Sequence, residues 1–171
     1  MIIDLSSILK VEGSKIDFNS TVEIQEIEFM GDKYTFLEPI KVVGSVRNVG
    51  DTLQLNAQVS GRMNVNCYRC MKDIEKNFNF TMQEVLINDD LHQVKNKDND
   101  SIHFQGNQIN IRDIIIDNVL MNISMKYLCS QDCKGLCPSC GVDLNINKCE
   151  CKTENIDPRF EVLKKLLNNQ E

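Results

Sequence analysis

The sequence predicts an α+β fold: an antiparallel, barrel-like β-sheet, then a long helix, a cysteine-rich loop and a short terminal helix. Three observations lead to this prediction. Apolar and polar residues alternate over much of the stretch from Val22 to Ile87, helical spacing follows it, and six of the eight cysteines lie between Cys129 and Cys151. At 171 residues, the chain is long enough for one domain with a core and a small appendage.

Alternating segments that begin at Val22, Lys33, Ile40, Leu53 and Phe78 predict the strands of the sheet. The segment LQLNAQVSG from Leu53 alternates throughout, so we expect it to have one buried and one solvated face. Turn residues separate the segments at intervals typical of a meander or barrel-like sheet: Gly31-Asp32, Glu38-Pro39, Asn48 to Asp51 and Ser60-Gly61.

The next segments predict a loop, a strand pair and a helix. Residues 88–101 are polar and have no period, which predicts a mobile loop. Gly106-Asn107 lies between two short alternating runs, which suggests a hairpin or strand pair. Ile115, Val119 and Ile123 follow at helical spacing and predict a buried helix of about sixteen residues.

The chain is expected to end in an amphipathic helix. Asp157-Pro158 is a helix start signal, and Phe160 and Leu163 begin an apolar stripe after it. A helix this short is marginal alone, so we expect it to dock on its own domain. We therefore predict a sheet-and-helix domain over residues 1–128 and a cysteine-rich, metal-binding segment with the terminal helix over residues 129–171.

Composition excludes several classes of function. The formal net charge is −6, so the chain as a whole does not attract a phosphate backbone. It has no export signal and no uninterrupted apolar stretch of membrane-spanning length, which predicts a soluble, cytoplasmic protein. With two histidines, His92 and His103, and no nucleotide-binding or catalytic-triad motif, we expect no enzyme, no small-molecule substrate and no catalytic residue.

The cysteines are the chain's strongest chemical signal. Because disulfides do not last in a reducing cytosol, their close spacing favours a metal over a disulfide framework. Cys137-Pro-Ser-Cys140-Gly141 has the form of a zinc knuckle, and Cys149 and Cys151 offer a second pair eight residues beyond it. These four thiols predict site 1, in a zinc-ribbon-like loop; free thiols are the alternative.

Four further cysteines predict site 2. Cys67 and Cys70 lie between two predicted strands, and Cys129 and Cys133 lie at the end of the predicted long helix. A site made of both pairs would join sheet and helix across 58 intervening residues. The alternatives are four reduced thiols, or a single ion held by Cys67 and Cys70 with the Cys137 knuckle.

We expect these ions to be structural Zn²⁺, because a catalytic zinc keeps a position open for water and is seldom held by four thiolates. A thiol redox protein that uses Cys67 and Cys70 is an alternative. That chemistry is typical of a Cys-x-x-Cys motif at a helix start, whereas this motif lies between strands. A zinc-dependent nucleic-acid-binding regulator is a further alternative.

Several of these motifs together resemble one family. The segments DCKGLCP from Asp132, Cys140-Gly141, Cys149 to Cys151 and Asp157-Pro158-Arg159, with NCYRC upstream, resemble the YceD family of large ribosomal RNA subunit accumulation proteins. The resemblance implies a bacterial, cytoplasmic, non-enzymatic factor that supports accumulation of 23S ribosomal RNA during large-subunit assembly. It implies ribosomal RNA or a large-subunit assembly intermediate as partner.

The acidic balance favours contact through a ribosomal protein or another assembly factor. If RNA is contacted directly, we expect basic residues near the cysteine pairs to do so: Arg62, Arg69, Lys72, Lys126 and Lys134.

Overall fold

The computed structural model describes residues 1–91, 101–124 and 126–151. Within these ranges the chain is mostly β-sheet with one α-helix. The elements are β1 Ile2–Asp4, β2 Lys15–Val22, β3 Glu26–Phe29, β4 Asp32–Phe36, β5 Ile40–Asn48, β6 Leu53–Asn66, β7 Asp73–Asn88, β8 Ser101–Phe104, β9 Gln108–Asn110 and α1 Arg112–Asn122. In this part of the chain, no helix is long and apolar enough to cross a membrane.

The chain divides into two compact units. The sheet unit consists of Met1–Asn66 and Asp73–Tyr127, and the cysteine unit consists of Cys67–Lys72 and the chain from Leu128 onward. Cys67–Lys72 connects β6 to β7, so the tip of the β6–β7 hairpin belongs to the cysteine unit. An independent domain that ends at residue 128 stays a prediction.

Strand β6 is the centre of the larger sheet. It pairs antiparallel with β7 along all of its 14 residues, while β5 and then β4 pair with its other edge. The order is β2-β5-β6-β4-β3, with β7 beside β6 and β8 parallel to β7. Closure into a barrel requires the edge strands to pair. Among the described strands β2 and β8 pair with one neighbour each, so the sheet is open and the barrel-like prediction is wrong.

Burial along β6 explains how the sheet forms a core. Leu55 and Val59 are fully buried, whereas Gln54 and Gln58 are exposed, so the predicted two-faced strand is confirmed. The apolar face belongs to one cluster with Leu5 from the N-terminal segment and with Ile115 and Val119 from α1. The helix therefore packs on the sheet through its buried residues.

The predicted long helix is wrong, because α1 has 11 residues and ends at Asn122. Two asparagine side chains donate to backbone carbonyls of the helix, Asn118 to Ile114 at 3.0 Å and Asn122 to Asn118 at 2.8 Å. Such bonds compete with the backbone ladder, and Ile123 has an extended backbone. Cys129 consequently does not lie at a helix end.

The segments around the helix also differ from the prediction. The runs on either side of Gly106-Asn107 do not pair with each other, because β8 pairs with β7 and β9 pairs with β1. Asn88 and Ser101, the predicted ends of the mobile loop, belong to β7 and β8. Residues 92–100 and the predicted terminal helix lie outside the described residues.

Candidate metal centres

The structure brings the eight cysteines together as two groups of four, both in the cysteine unit. Site 1 comprises Cys137, Cys140, Cys149 and Cys151, and site 2 comprises Cys67, Cys70, Cys129 and Cys133. Within each group the four sulfur atoms lie within 4.8 Å of one another. The alternative grouping of Cys67 and Cys70 with the Cys137 knuckle does not occur in this structure.

The two sites are built on the same local backbone design. In site 1, the Cys137 N–H donates to the Val142 carbonyl at 2.8 Å and the Gly141 N–H donates to the Cys137 carbonyl at 2.9 Å. Gly141 adopts a φ of +74°, which a glycine tolerates without steric cost. This turn places the sulfur atoms of Cys137 and Cys140 on the same side of the chain.

Site 2 contains the same turn, closed by the same two backbone hydrogen bonds. The Cys67 N–H donates to the Lys72 carbonyl at 2.8 Å, and the Met71 N–H donates to the Cys67 carbonyl at 2.8 Å. Met71 occupies the position that corresponds to Gly141 and has a φ of 60°, a conformation that residues other than glycine rarely adopt. The tip of the β6–β7 hairpin is therefore a second knuckle of the same kind.

The sulfur distances in site 2 test whether a metal ion fits. Cys67 Sγ lies 3.8 Å from Cys133 Sγ, and Cys70 Sγ lies 3.7 Å from Cys129 Sγ. A tetrahedral zinc–thiolate centre with Zn–S bonds of about 2.3 Å has sulfur atoms about 3.8 Å apart. A disulfide needs about 2.05 Å. The spacing therefore fits four ligands around one ion, and the thiols are not in disulfides.

The environment of site 2 favours ionisation of Cys67 and opposes ionisation of Cys70 and Cys129. Burial opposes the Cys67 thiolate, but backbone N–H groups, including those of Cys70 and Cys129, point at the sulfur and lower its pKa to about 6. The Lys72 N–H favours the Cys70 thiolate, but burial and the neighbouring thiols outweigh it and raise the pKa of Cys70 to about 12. The Cys133 thiol raises the pKa of Cys129.

Site 1 has the same electrostatic asymmetry. Backbone N–H groups of Cys140 and Ser139 lower the pKa of Cys137 to about 6. The neighbouring Cys140 thiol raises the pKa of Cys151 to about 12, and Cys137 raises that of Cys149. Four thiolates this close repel one another, and a divalent cation would offset that repulsion. The residues present therefore fit a metal ion in both sites.

Arg69 connects the two sites and was missed as a structural residue in the sequence. Its Nη1 donates to the Cys133 carbonyl at 2.8 Å, and its own carbonyl accepts the Leu136 N–H at 3.0 Å. Gly135 makes this approach possible, because it has a φ of +77° and a Cβ there would lie 2.9 Å from the Arg69 carbonyl oxygen. Gly135 lies in the segment DCKGLCP, between Cys133 of site 2 and Cys137 of site 1.

A pair of glycine substitutions tests this contact. When both variants are first loaded with Zn²⁺, we expect Gly135→Ala to release the ion at a lower chelator concentration than Gly141→Ala, because only the Gly135 methyl would collide with Arg69. Both variants carry the cost of a left-handed alanine, about 1–2 kcal/mol, so the difference between them isolates the collision. Zinc release during chelator titration measures it. Equal release from both variants would show that the contact contributes nothing.

The basic residues predicted to contact RNA differ in how they are placed, and one of the two histidines lies in the described structure. Arg62 pairs with Glu38 at 3.3 Å, and Arg69 is bonded to carbonyl oxygens. Both guanidinium groups therefore already have a partner within the chain. Lys72, Lys126 and Lys134 are exposed. His103 Nδ1 lies 2.6 Å from Asp89 Oδ1, and His92 lies outside the described residues.

The fold is an open, mostly antiparallel sheet, and the tip of its β6–β7 hairpin belongs to the unit that contains the two four-thiol groups. These features define a protein with two candidate metal centres. The chain belongs to the YceD family, described as large ribosomal RNA subunit accumulation protein YceD, whose profile matches residues 55–167. This range contains all eight cysteines.

Similar proteins occur in bacteria and in a plant. The chain is 27% identical over 157 residues to the uncharacterized protein YlbN of Bacillus subtilis, covering 91% of this chain and 90% of YlbN. It is 36% identical over 63 residues to a chloroplastic protein of Arabidopsis thaliana named large ribosomal RNA subunit accumulation protein YCED homolog 1. This match covers 36% of this chain and 20% of the plant protein. The Mycobacterium tuberculosis protein Rv2926c is 26% identical over 71% of this chain and 59% of its own length. No solved structure matches the chain.

Proposed function

We propose that this chain is a cytoplasmic, non-enzymatic zinc protein that supports accumulation of 23S ribosomal RNA during assembly of the large ribosomal subunit. The observation that carries the proposal is the family match, since it spans both candidate metal centres. Its partner is ribosomal RNA or a large-subunit assembly intermediate, contacted directly or through a ribosomal protein.

Two features support a structural role for the metal. Each site offers four sulfur ligands to one ion, which leaves no position open for a catalytic water. Thiolate-only ligand sets favour zinc or iron–sulfur clusters. The two separate groups of four thiols, with S–S distances of 3.8 Å and 3.7 Å in site 2, suit one zinc each. When bound, zinc would hold together the chain segments that carry its ligands.

The sulfur geometry also bears on the thiol redox alternative. Cys67 and Cys70 each lie within 4 Å of a thiol from the second half of site 2, Cys133 and Cys129 respectively, at 3.8 Å and 3.7 Å. A dithiol that cycles through a disulfide must be free to close with its own partner. Here both sulfurs contribute to one four-thiol group, which supports metal binding.

Deletion of the gene tests the proposed function. We expect the deletion strain to have a lower ratio of 23S to 16S ribosomal RNA than the wild-type strain and to accumulate precursors of the large subunit, because the proposed factor acts before the subunit is complete. Gel analysis of total RNA and sucrose-gradient ribosome profiles measure both effects. A plasmid copy of the wild-type gene is the control and should restore the ratio. A normal ratio and a normal profile in the deletion strain would contradict the proposal.

A further inference from the structure

We infer that the two sites bind their ions cooperatively and that Asn145 is the positioning residue that couples them. The inference rests on the proposed metal centres and concerns how binding of an ion at one site changes the affinity of the other. It follows from contacts by which each site's chain segment reaches the other site.

The chain order already places the sites close together. Only Lys134, Gly135 and Leu136 separate Cys133 of site 2 from Cys137 of site 1. Ordering of either cysteine by an ion therefore restricts the conformations of the other. A ligand that has been ordered in advance costs less entropy to bind, which is a source of positive coupling between two sites.

Asn145 adds a direct connection. It lies in the loop of site 1 between Cys140 and Cys149, yet its Nδ2 lies 3.5 Å from Cys133 Sγ of site 2. Side chains that donate a hydrogen bond to a metal ligand hold that ligand in the orientation it needs to bind the ion. Asn145 thus supplies to site 2 a hydrogen bond that only a correctly folded site 1 loop can place.

The rest of the Asn145 amide is held in that orientation. Its Oδ1 accepts the Lys134 N–H at 2.8 Å, and its Nδ2 also donates to Asp143 Oδ1 at 2.6 Å. Asp143 is part of the loop of site 1, where it pairs with Leu136. The orientation of the amide therefore depends on both sides of the connection, the Cys133 segment and the site 1 loop.

Arg69 provides the reciprocal contact. It lies between the two knuckle cysteines of site 2, and its carbonyl accepts the N–H of Leu136, the residue before Cys137 of site 1. Filling site 2 would fix this acceptor and thereby the entry to site 1. Thermodynamic linkage requires the coupling to be equal in both directions.

Native mass spectrometry of partly loaded protein tests the inference. Metal-free reduced protein receives one equivalent of Zn²⁺, and the fractions with zero, one and two ions are measured. Independent sites of equal affinity would leave about half of the chains with one ion, and independent unequal sites would leave more. We expect the wild-type protein to contain mainly chains with no ion and chains with two.

Asn145→Asp should change this distribution, because it places a carboxylate against the Cys133 sulfur. We expect site 2 to lose zinc affinity by about 10- to 100-fold and chains with one ion to become the main species. Alkylation followed by peptide mapping should label Cys67, Cys70, Cys129 and Cys133, while the site 1 thiols stay protected. General misfolding of the unit would instead expose both groups.

Asn147→Asp is the matched control. It makes the same change two residues away, where the residue is exposed and only its backbone N–H contacts Asp143. Its distribution should equal that of the wild-type protein. One-ion chains at half or more in the wild-type protein would overturn the cooperativity, and an unchanged Asn145→Asp distribution would overturn the role of Asn145. Wild-type protein that binds no zinc at any ratio would contradict the metal centres themselves.

Discussion

Removal of metal from the purified chain is expected to unfold the described part of the cysteine unit and to leave the sheet unit folded. The two units differ in what stabilises them. The sheet unit buries a cluster of 23 apolar residues, whereas the described buried cluster of the cysteine unit consists of Cys67, Cys70 and Cys133 with Leu128 packed against it. Structural zinc contributes about 10–16 kcal/mol in small peptides, as much as the total stability of many domains.

Hydrogen exchange with and without a strong chelator measures this effect. Amides of residues 67–72 and 128–151 should lose protection when zinc is removed, while amides of β5 and β6 keep theirs. The same chelator saturated with zinc is the control, and added zinc should restore protection. Unchanged protection of residues 128–151 after complete loss of zinc would show that apolar packing alone shapes the unit.

Replacing Cys67 and Cys70 by serine is expected to abolish rescue of the deletion strain. Both sulfurs belong to the four-thiol group of site 2, and Cys67 is fully buried, so the two hydroxyls would leave an incomplete set of candidate ligands at the tip of the hairpin. The 23S to 16S ratio in complemented cells measures the effect, and immunoblots report how much protein each strain contains.

Ser130→Ala with Ser139→Ala is the matched control for this variant. Each substitution changes a residue near the ligands of one site without removing a sulfur, and the bonds that these serines make near the ligands come from backbone atoms. The control should restore the ratio as well as wild type does. Full rescue by the Cys67→Ser/Cys70→Ser protein would separate the function from the metal.

The local parts of the fold could be predicted from the sequence, and the pairing of strands could not. Alternation along LQLNAQVSG from Leu53 is a property of one segment, so it identified both faces of the first part of β6. The turn predicted at Ser60-Gly61 is wrong, because β6 continues to Asn66. Closure into a barrel depends on which edges meet, and alternation carries no information on that. The helix was predicted too long because Ile123 continues the apolar spacing, while the asparagine bonds that compete with its last turn are visible only in the structure.

The same distinction applies to the sites. Cys137-Pro-Ser-Cys140-Gly141 shows its turn in the sequence because glycine occupies the position with positive φ. The knuckle at Cys67 has Met71 there, so only its cysteine spacing indicated it. Arg69 contacts Cys133 and Gly135, which lie more than 60 residues further along the chain. Asn145 contacts Cys133 because the loop of site 1 folds back on the Cys133 segment. No local pattern signals such contacts.

Metal content of the natively purified protein is the most direct test, since every inference about the cysteine unit depends on ions held by two sulfur quartets. Elemental analysis of protein isolated without added metal or chelator should find two zinc ions per chain, and one per chain in the Cys67→Ser/Cys70→Ser variant if site 1 retains its ion. Protein that contains no metal and whose thiols react at once with an alkylating agent would contradict the account.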